Sequence, residues 1–301
     1  QPEGFVKQGE ETKVYKLAKA LYGLRQSPRA WNLKLNNTLK NMGFKRCMQE
    51  NAVYRKVANG EYIIVAVYVD DLFVTGTRLE FINQFKRLMA LQFEMSHLGE
   101  LTCYLGIEVL QENGCVKVKQ ESYAMKILKE AGMQECNATQ CPMEPGLKLS
   151  KAEDEPEVEA TYYRKIVGCL RYLLHTRPDL AYSVGVVSRY MQSPRESHAR
   201  AIKQILRYLR GTPSFGIVYK RSKNMSLIGY SDSSHNVDID DGRSTTGHVF
   251  YLCDSPITWC SQKQDTVALS SCEAEFMAAT AAACQAVWLR ELLAELTGMK
   301  K

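Results

Sequence analysis

Asp70 and Asp71 stand side by side after Tyr68-Val69, between two apolar runs, residues 61–67 and 72–76, that each read as a short strand. β-Branched and aromatic residues on both sides favour a half-buried hairpin with the two acids at its bend. Like charges held that close resist joint ionisation unless a cation neutralises them. Hard oxygen ligands suit Mg²⁺, and paired metals clamping attacking and leaving oxygens are the usual chemistry of nucleotide transfer. Taken alone, an Asp-Asp pair is more often a solvated turn, because Asp bonds its own backbone there. The surrounding segments decide between these readings.

A second pair of acids is far apart in the chain. Asp232 ends a predicted strand at 227–230, and Glu275 lies in the first turns of a predicted terminal helix among Ala274, Ala278 and Ala279. Small residues let such a helix approach a sheet closely, bringing a helix-borne carboxylate over a strand-borne one as a partial two-metal site of the nuclease type. The competing reading is that Glu273 and Glu275 merely suit the positive end of a helix. Glu273 is accounted for as the capping-box partner of Ser270, which leaves Glu275 as the candidate.

A third feature is cationic. Arg200, Lys203, Arg207 and Arg210 recur at intervals of three and four on a predicted helix over 194–210, whose other stripe is Ile202, Ile205, Leu206 and Leu209. Such a ridge attracts a nucleic-acid backbone with salt-dependent affinity, and an ordinary solvated face is the equally weighted alternative. Lys220, Arg221 and Lys223 nearby add to the first reading. His175, His198, His235 and His248 have no partner at metal-ligand spacing and His97 lies in a polar turn, so all five are assigned structural roles. No Gly-rich phosphate loop or nucleophile motif is present.

These residues need elements to position them. Ser27-Pro28 opens a helix, with Ser27 as cap, in which Trp31, Leu35, Thr38 and Leu39 recur at helical spacing until Gly43. After the acidic hairpin, Phe81, Ile82, Phe85, Leu88 and Met89 predict a second helix, followed by strands at 104–110 and 115–119 around Asn113-Gly114. A helix over 122–131 precedes an acidic stretch at 150–160 that reads as a linker. Residues 162–208 are helical in pattern, broken at Arg177-Pro178-Asp179, with Ser193 to Glu196 as a capping box. Strands at 227–230, 248–252 and 257–260 precede the last helix. The alternation of helices and hairpins predicts an α+β architecture.

The 301 residues are 45% hydrophobic and 24% charged, ordinary values for a globular chain with two or three cores, and the net charge of +6 is mild. Ten cysteines without paired Cys-x-x-Cys spacing argue for reduced thiols, mostly small core residues, in an intracellular compartment. No apolar run is long enough to span a bilayer and no signal-peptide pattern opens the chain, so no membrane role is expected, while the opening Gln1-Pro2-Glu3-Gly4 without an initiating Met reads as cut from a longer precursor or an incomplete frame.

Taken in order, several segments resemble the reverse transcriptase and ribonuclease H portion of Ty1/copia-type LTR retrotransposon Pol polyproteins. They are Gln1-Pro2-Glu3-Gly4-Phe5, residues 19–31 (KALYGLRQSPRAW), Tyr68 to Asp71, residues 104–109 (YLGIEV), 175–182 (HTRPDLAY), 205–212 (ILRYLRGT) and 267–275 (VALSSCEAE). The resemblance covers nearly the whole chain. It implies a reverse transcriptase palm and thumb over 1–149, the linker at 150–160, a helical connection over 161–222 and a partial ribonuclease H-like α/β domain over 223–301. Asp70 is then the expected metal ligand, Asp71 a support for metal or primer end, and Tyr68 and Val69 flank nucleotide and primer. Gln26 and Arg29 face template or nucleotide, and Asp232 and Glu275 hold metal in the second domain. The implied partners are an RNA template, a DNA primer, the RNA·DNA hybrid and deoxynucleotides, with Mg²⁺ as cofactor.

The same resemblance implies departures. A further palm aspartate is expected before Gln1 and a third ribonuclease H carboxylate beyond Lys301, while Ser234 stands where relatives often have Asp. The expectation is therefore a polymerase fragment inactive by itself. A noncatalytic nucleic-acid-binding or interaction module using the basic helix is the alternative.

Overall fold

The computed structural model describes residues 4–14, 16–222 and 225–298. Gln1, Pro2, Glu3 and Lys223, which entered the readings above, lie outside the described residues. The chain divides into two compact units, one of residues 1–97 with 289–301 and one of residues 98–288.

In the first unit, helix α1 (Ser27–Asn41) leads into strands β1 (Lys45–Arg46), β2 (Val53–Ala58), β3 (Glu61–Tyr68) and β4 (Asp71–Gly76), followed by helix α2 (Leu79–Ala90). The strands form one antiparallel sheet in the order β1-β2-β3-β4. Its core follows from two periodicities. Ile63 and Val65 alternate inward from β3, while Leu35 with Leu39 and Phe85 with Met89 lie four apart on their helices. All six join Phe44, Tyr54 and Phe93 in one buried cluster. Ser27 does not cap α1: its hydroxyl donates to the carbonyl of Leu21, and Gln26 takes the cap position without a side-chain bond.

The second unit holds two sheets and a helical core. Strands β5 (Cys103–Tyr104), β6 (Ile107–Glu112) and β7 (Cys115–Lys119) precede helices α3 (Glu121–Glu130), α4 (Ala160–Leu173), α5 (Ala181–Val187) and α6 (Glu196–Gly211). Strand β8 (Gly216–Lys220) then returns to pair with β7, making the order β5-β6-β7-β8. The strand expected at 104–110 is split by a tight turn, with φ of 51° at Leu105 and 72° at Gly106. Its second position suits Gly, which carries no Cβ penalty there. The second sheet, β11-β10-β9, consists of β9 (Leu227–Ser233), β10 (Thr245–Leu252) and β11 (Ser255–Lys263), all antiparallel. Helix α7 (Ser271–Thr297) follows. Leu128, Ile166, Leu170, Leu180, Val187, Ile205 and Leu209 are among the buried residues that bind α3 to α6 into one core.

The acidic stretch at 150–160 is docked rather than free. The Glu155 carboxylate accepts from the Ser197 N–H at 2.6 Å, the Pro156 carbonyl from the Glu196 N–H at 3.2 Å, and Glu157 bridges to Arg195. Composition reads as a linker because these acids are polar. Glu155 and the Pro156 carbonyl take otherwise unsatisfied N–H groups at the start of α6, where negative charge is favoured. That helix starts at Glu196 with Arg195 as cap residue, in place of the Ser193 box expected from sequence, and the imidazole of His198 accepts from the Arg195 N–H. The cysteine expectation also needs correction: among the described residues no disulfide is formed, but only Cys47 of the ten cysteines is buried. Among the described residues no helix is long and apolar enough to cross a membrane.

Candidate active site

Strands β3 and β4 pair up to Tyr68 opposite Asp71, so Val69 and Asp70 form a two-residue turn. Val69 occupies the left-handed region with φ of 54°, an outlier for a β-branched residue and a place where strain gathers at functional turns. Its carbonyl accepts a 2.6 Å bond from the indole N–H of Trp31 on α1. Trp31 is in turn held edge-on against Phe93, 5.2 Å between ring centres. The turn that carries the acids is thus tied to α1 by one side-chain bond. Gln26 and Arg29, at the same end of α1, are exposed, as are Tyr68, Val69, Asp70 and Asp71. The pair is solvent-facing, not half-buried, because the turn projects beyond the cluster that covers Ile63 and Val65.

Glu275 on α7 reaches the strand that carries Asp232. Asp232 lies on β9 opposite Gly247 of β10, and Glu275 follows the fully buried Ala274 on α7. Glu275 Oε1 accepts from the N–H of Ser233, the residue after Asp232, at 3.3 Å. Ala274 and Ala278, both with no exposed surface, form the close-packing face that small residues permit. The expected cap is present: the Glu273 N–H donates to Ser270 Oγ at 3.1 Å, and the Glu273 carboxylate accepts from the Leu269 N–H at 2.7 Å. Glu273 is thereby occupied while Glu275 faces β9. Ser234 serves the backbone, its Oγ accepting from the Thr245 N–H at 2.8 Å.

The donor chemistry of both pairs fits a hard divalent cation, since carboxylate oxygens are the ligands Mg²⁺ takes and one or two of them with substrate phosphates are enough to hold it. Asp70 and Asp71 would be the protein ligands at one pair, Asp232 and Glu275 at the other. Among the described residues no group of three or more His, Cys, Asp or Glu is gathered.

The basic ridge of α6 is largely committed within its own unit. Arg207 Nε donates to the Asn137 carbonyl at 2.8 Å, Arg210 Nε donates to the Gln134 carbonyl, and Arg200 lies 3.6 Å from the Glu155 carboxylate. Lys203 is exposed. Arg207 and Arg210 strap the segment after α3 onto α6, a role that helical spacing alone does not distinguish from a phosphate-binding face.

Two side chains bonded to residues beside the acids carry contacts that sequence reasoning does not reveal. Helical spacing and the 19–31 segment mark Trp31 but not its bond to the Val69 carbonyl, although an indole N–H near a core needs an acceptor. Gln264, just past β11, is 7% exposed and bonded to both elements of the second acidic pair. No local signal marks it.

Residues 1–145 match the family described as reverse transcriptase (RNA-dependent DNA polymerase). Over 98% of its length the chain is 37% identical to the retrovirus-related Pol polyprotein from transposon RE1 of Arabidopsis thaliana, and 36% identical to that from transposon TNT 1-94 of Nicotiana tabacum. It spans about a fifth of the length of those two proteins, 20% and 23%. It is 33% identical to the transposon Ty5-1 protein YCL074W of Saccharomyces cerevisiae, with 93% of this chain aligned to 92% of that one. A turn bearing adjacent aspartates on an antiparallel α+β unit, together with these likenesses, establishes that the chain belongs to the Ty1/copia-type retrotransposon Pol polyprotein family.

Proposed function

We propose that this chain carries the nucleotide-transfer hairpin of an RNA-directed DNA polymerase together with part of a domain that cleaves the RNA strand of the hybrid. The observation that carries the first half is the two-residue turn at Val69-Asp70, held by Trp31, that presents Asp70 and Asp71 to solvent. The second half is supported by Glu275 on α7 reaching the backbone beside Asp232. On this reading residues 1–149 act as palm and thumb, 161–222 as connection and 223–301 as the ribonuclease H-like part. Template, primer, hybrid and deoxynucleotides are the partners.

Mg²⁺, when bound, supplies charge neutralisation at phosphate oxygens and lowers the pKa of an attacking hydroxyl or water. Asp70 offers carboxylate oxygens at the tip of a rigid hairpin, and Asp71 adds a second carboxylate at the first residue of β4. The exposed Tyr68 and Val69 flank them, where a primer end and nucleotide would lie across the turn. Orientation of that kind is worth more than any single contact, because it replaces the lost freedom of two reactants.

Each pair supplies two carboxylates, fewer than a two-metal site takes from protein in full, so the chain by itself is expected not to turn over. A primer-extension assay on an RNA template with Mg²⁺ tests this. Incorporation that Asp70→Ala abolishes would overturn the inactivity while supporting the polymerase assignment. The noncatalytic alternative rests on α6, where Arg200, Arg207 and Arg210 already have internal partners.

A further inference from the structure

We propose that Gln264 is a positioning residue for the Asp232 and Glu275 pair, its side-chain amide clasping the residue after one acid to the residue before the other. This rests on reading that pair as a cation site. The Gln264 N–H donates to the Ser244 carbonyl at 2.8 Å, which fixes the backbone. From there Nε2 lies 3.0 Å from the Ala274 carbonyl of α7, 3.1 Å from Ser233 Oγ of β9 and 3.0 Å from Thr246 Oγ1 of β10. One amide therefore touches both the strand that bears Asp232 and the helix that bears Glu275, at the positions adjoining the acids.

The orientation of the amide follows from its neighbours. The Ala274 carbonyl can only accept, and Ser233 Oγ already donates to the Ser234 carbonyl at 2.8 Å, so it too accepts from Gln264. The two hydrogens of Nε2 are assigned to these two oxygens, and the Thr246 hydroxyl is left free to donate elsewhere. Oε1 is buried without a hydrogen bond among the described residues. A buried amide that leaves one atom unmatched costs stability relative to an apolar side chain of that shape. Two donors aimed at the two flanks of the acidic pair are what the residue contributes in return.

Donors, not bulk, are the requirement. Gln264→Glu keeps the shape and turns an acceptor towards the Ala274 carbonyl, while Gln264→Met keeps the volume and removes both bonds. Either change frees the first turn of α7 from β9, so Glu275 loses its fixed distance to the Ser233 N–H.

The whole chain, labelled with ¹⁵N, provides a readout in which no variant has to fold: the Gln264 side-chain amide protons should exchange slowly and show cross-peaks to Ser233 and Ala274. Rapid exchange with solvent overturns the proposal. Next, the Ser233 backbone amide signal should move in Gln264→Met and Gln264→Glu in the same direction as in Glu275→Gln; a Ser233 signal that moves only in Glu275→Gln also overturns it. Mn²⁺ binding, followed by electron paramagnetic resonance in an Asp70→Asn/Asp71→Asn background, separates the proposal from the reading beneath it. Gln264→Met should weaken the binding that Asp232→Asn abolishes by about ten- to a hundredfold, whereas the buried control Ile217→Val on β8 should leave it unchanged. Binding lost in Asp232→Asn but intact in Gln264→Met overturns the proposal and leaves the cation site standing. Mn²⁺ binding that neither Asp232→Asn nor Glu275→Gln alters overturns the cation site and, with it, the role of Gln264.

Discussion

At the scale of single residues, two polar side chains do structural work that their neighbours make unavoidable. Arg177 is 1% exposed, and its guanidinium meets Asp179 through Nε at 2.9 Å and Nη2 at 2.7 Å, with Thr212 accepting two further bonds at 2.8 Å. The rings of Tyr208 and Phe215 lie 5.7 and 5.5 Å from the guanidinium carbon. A lysine cannot reproduce a planar fork stacked between rings. Arg177→Lys is therefore expected to lose about 3 kcal/mol, the scale of breaking a buried, hydrogen-bonded pair. Chemical denaturation measures it, and a loss below a third of that would show the fork to be dispensable. Trp31 makes one bond, to the Val69 carbonyl. Trp31→Phe should cost about 1 kcal/mol for that bond and speed hydrogen exchange at Asp70 and Asp71. Exchange unchanged at the turn would mean that α1 does not hold the hairpin.

At the scale of elements, α6 depends on the segment before it, and His198 makes the dependence pH-sensitive. Its Nδ1 accepts from the Arg195 N–H at 2.8 Å, so the ring proton sits on Nε2, 2.7 Å from the Ser150 carbonyl, with the ring stacked on Tyr190 at 4.0 Å. Burial pushes the imidazole below its ordinary value, against the opposing pull of the Ser150 carbonyl. Above about pH 6.5 the ring is neutral both folded and unfolded, and its contribution is complete. As pH falls below that point the unfolded chain takes up the proton first, so stability drops until the folded-state value is passed. Glu155 is also held below its usual range, by the Ser197 N–H first, and its contribution is lost only at lower pH, below the ordinary carboxylate value. Melting temperature should thus fall between pH 7 and 5.5 in the parent chain and fall less in His198→Gln. Parallel curves would remove His198 as the cause.

At the scale of the molecule, the proposed nucleic-acid partners make a further demand on charge. The chain carries +6 overall, and on α6 only part of the ridge faces solvent. Each phosphate contact removed lowers the salt dependence of binding by roughly one unit of slope. Lys203→Ala should therefore lower the slope for an RNA·DNA hybrid by about one, while Arg207→Ala should act mainly on melting temperature, through its bond to Asn137. Fluorescence anisotropy across a salt series distinguishes them. Equal slopes in the parent and Lys203→Ala would take α6 out of the binding surface.

The hairpin at Asp70-Asp71, the helices with regular apolar spacing, the Ser270 cap and the family are legible in the residues alone. Each is written in residues close together in the chain, where turn chemistry and periodicity act. The remaining contacts arise between residues distant in the chain. Strand β8 returns to β7 from nearly a hundred residues away in the chain. Glu155 caps α6, Arg207 and Arg210 bond carbonyls of the segment after α3, and Gln264 joins Ser233 to Ala274. A long polar side chain carries no record of its partner, because its bond is made only when packing brings the acceptor within reach. The turn that carries Asp70 and Asp71 is marked by its neighbours in sequence, whereas what ties Glu275 to the strand of Asp232 is visible only from neighbours in space.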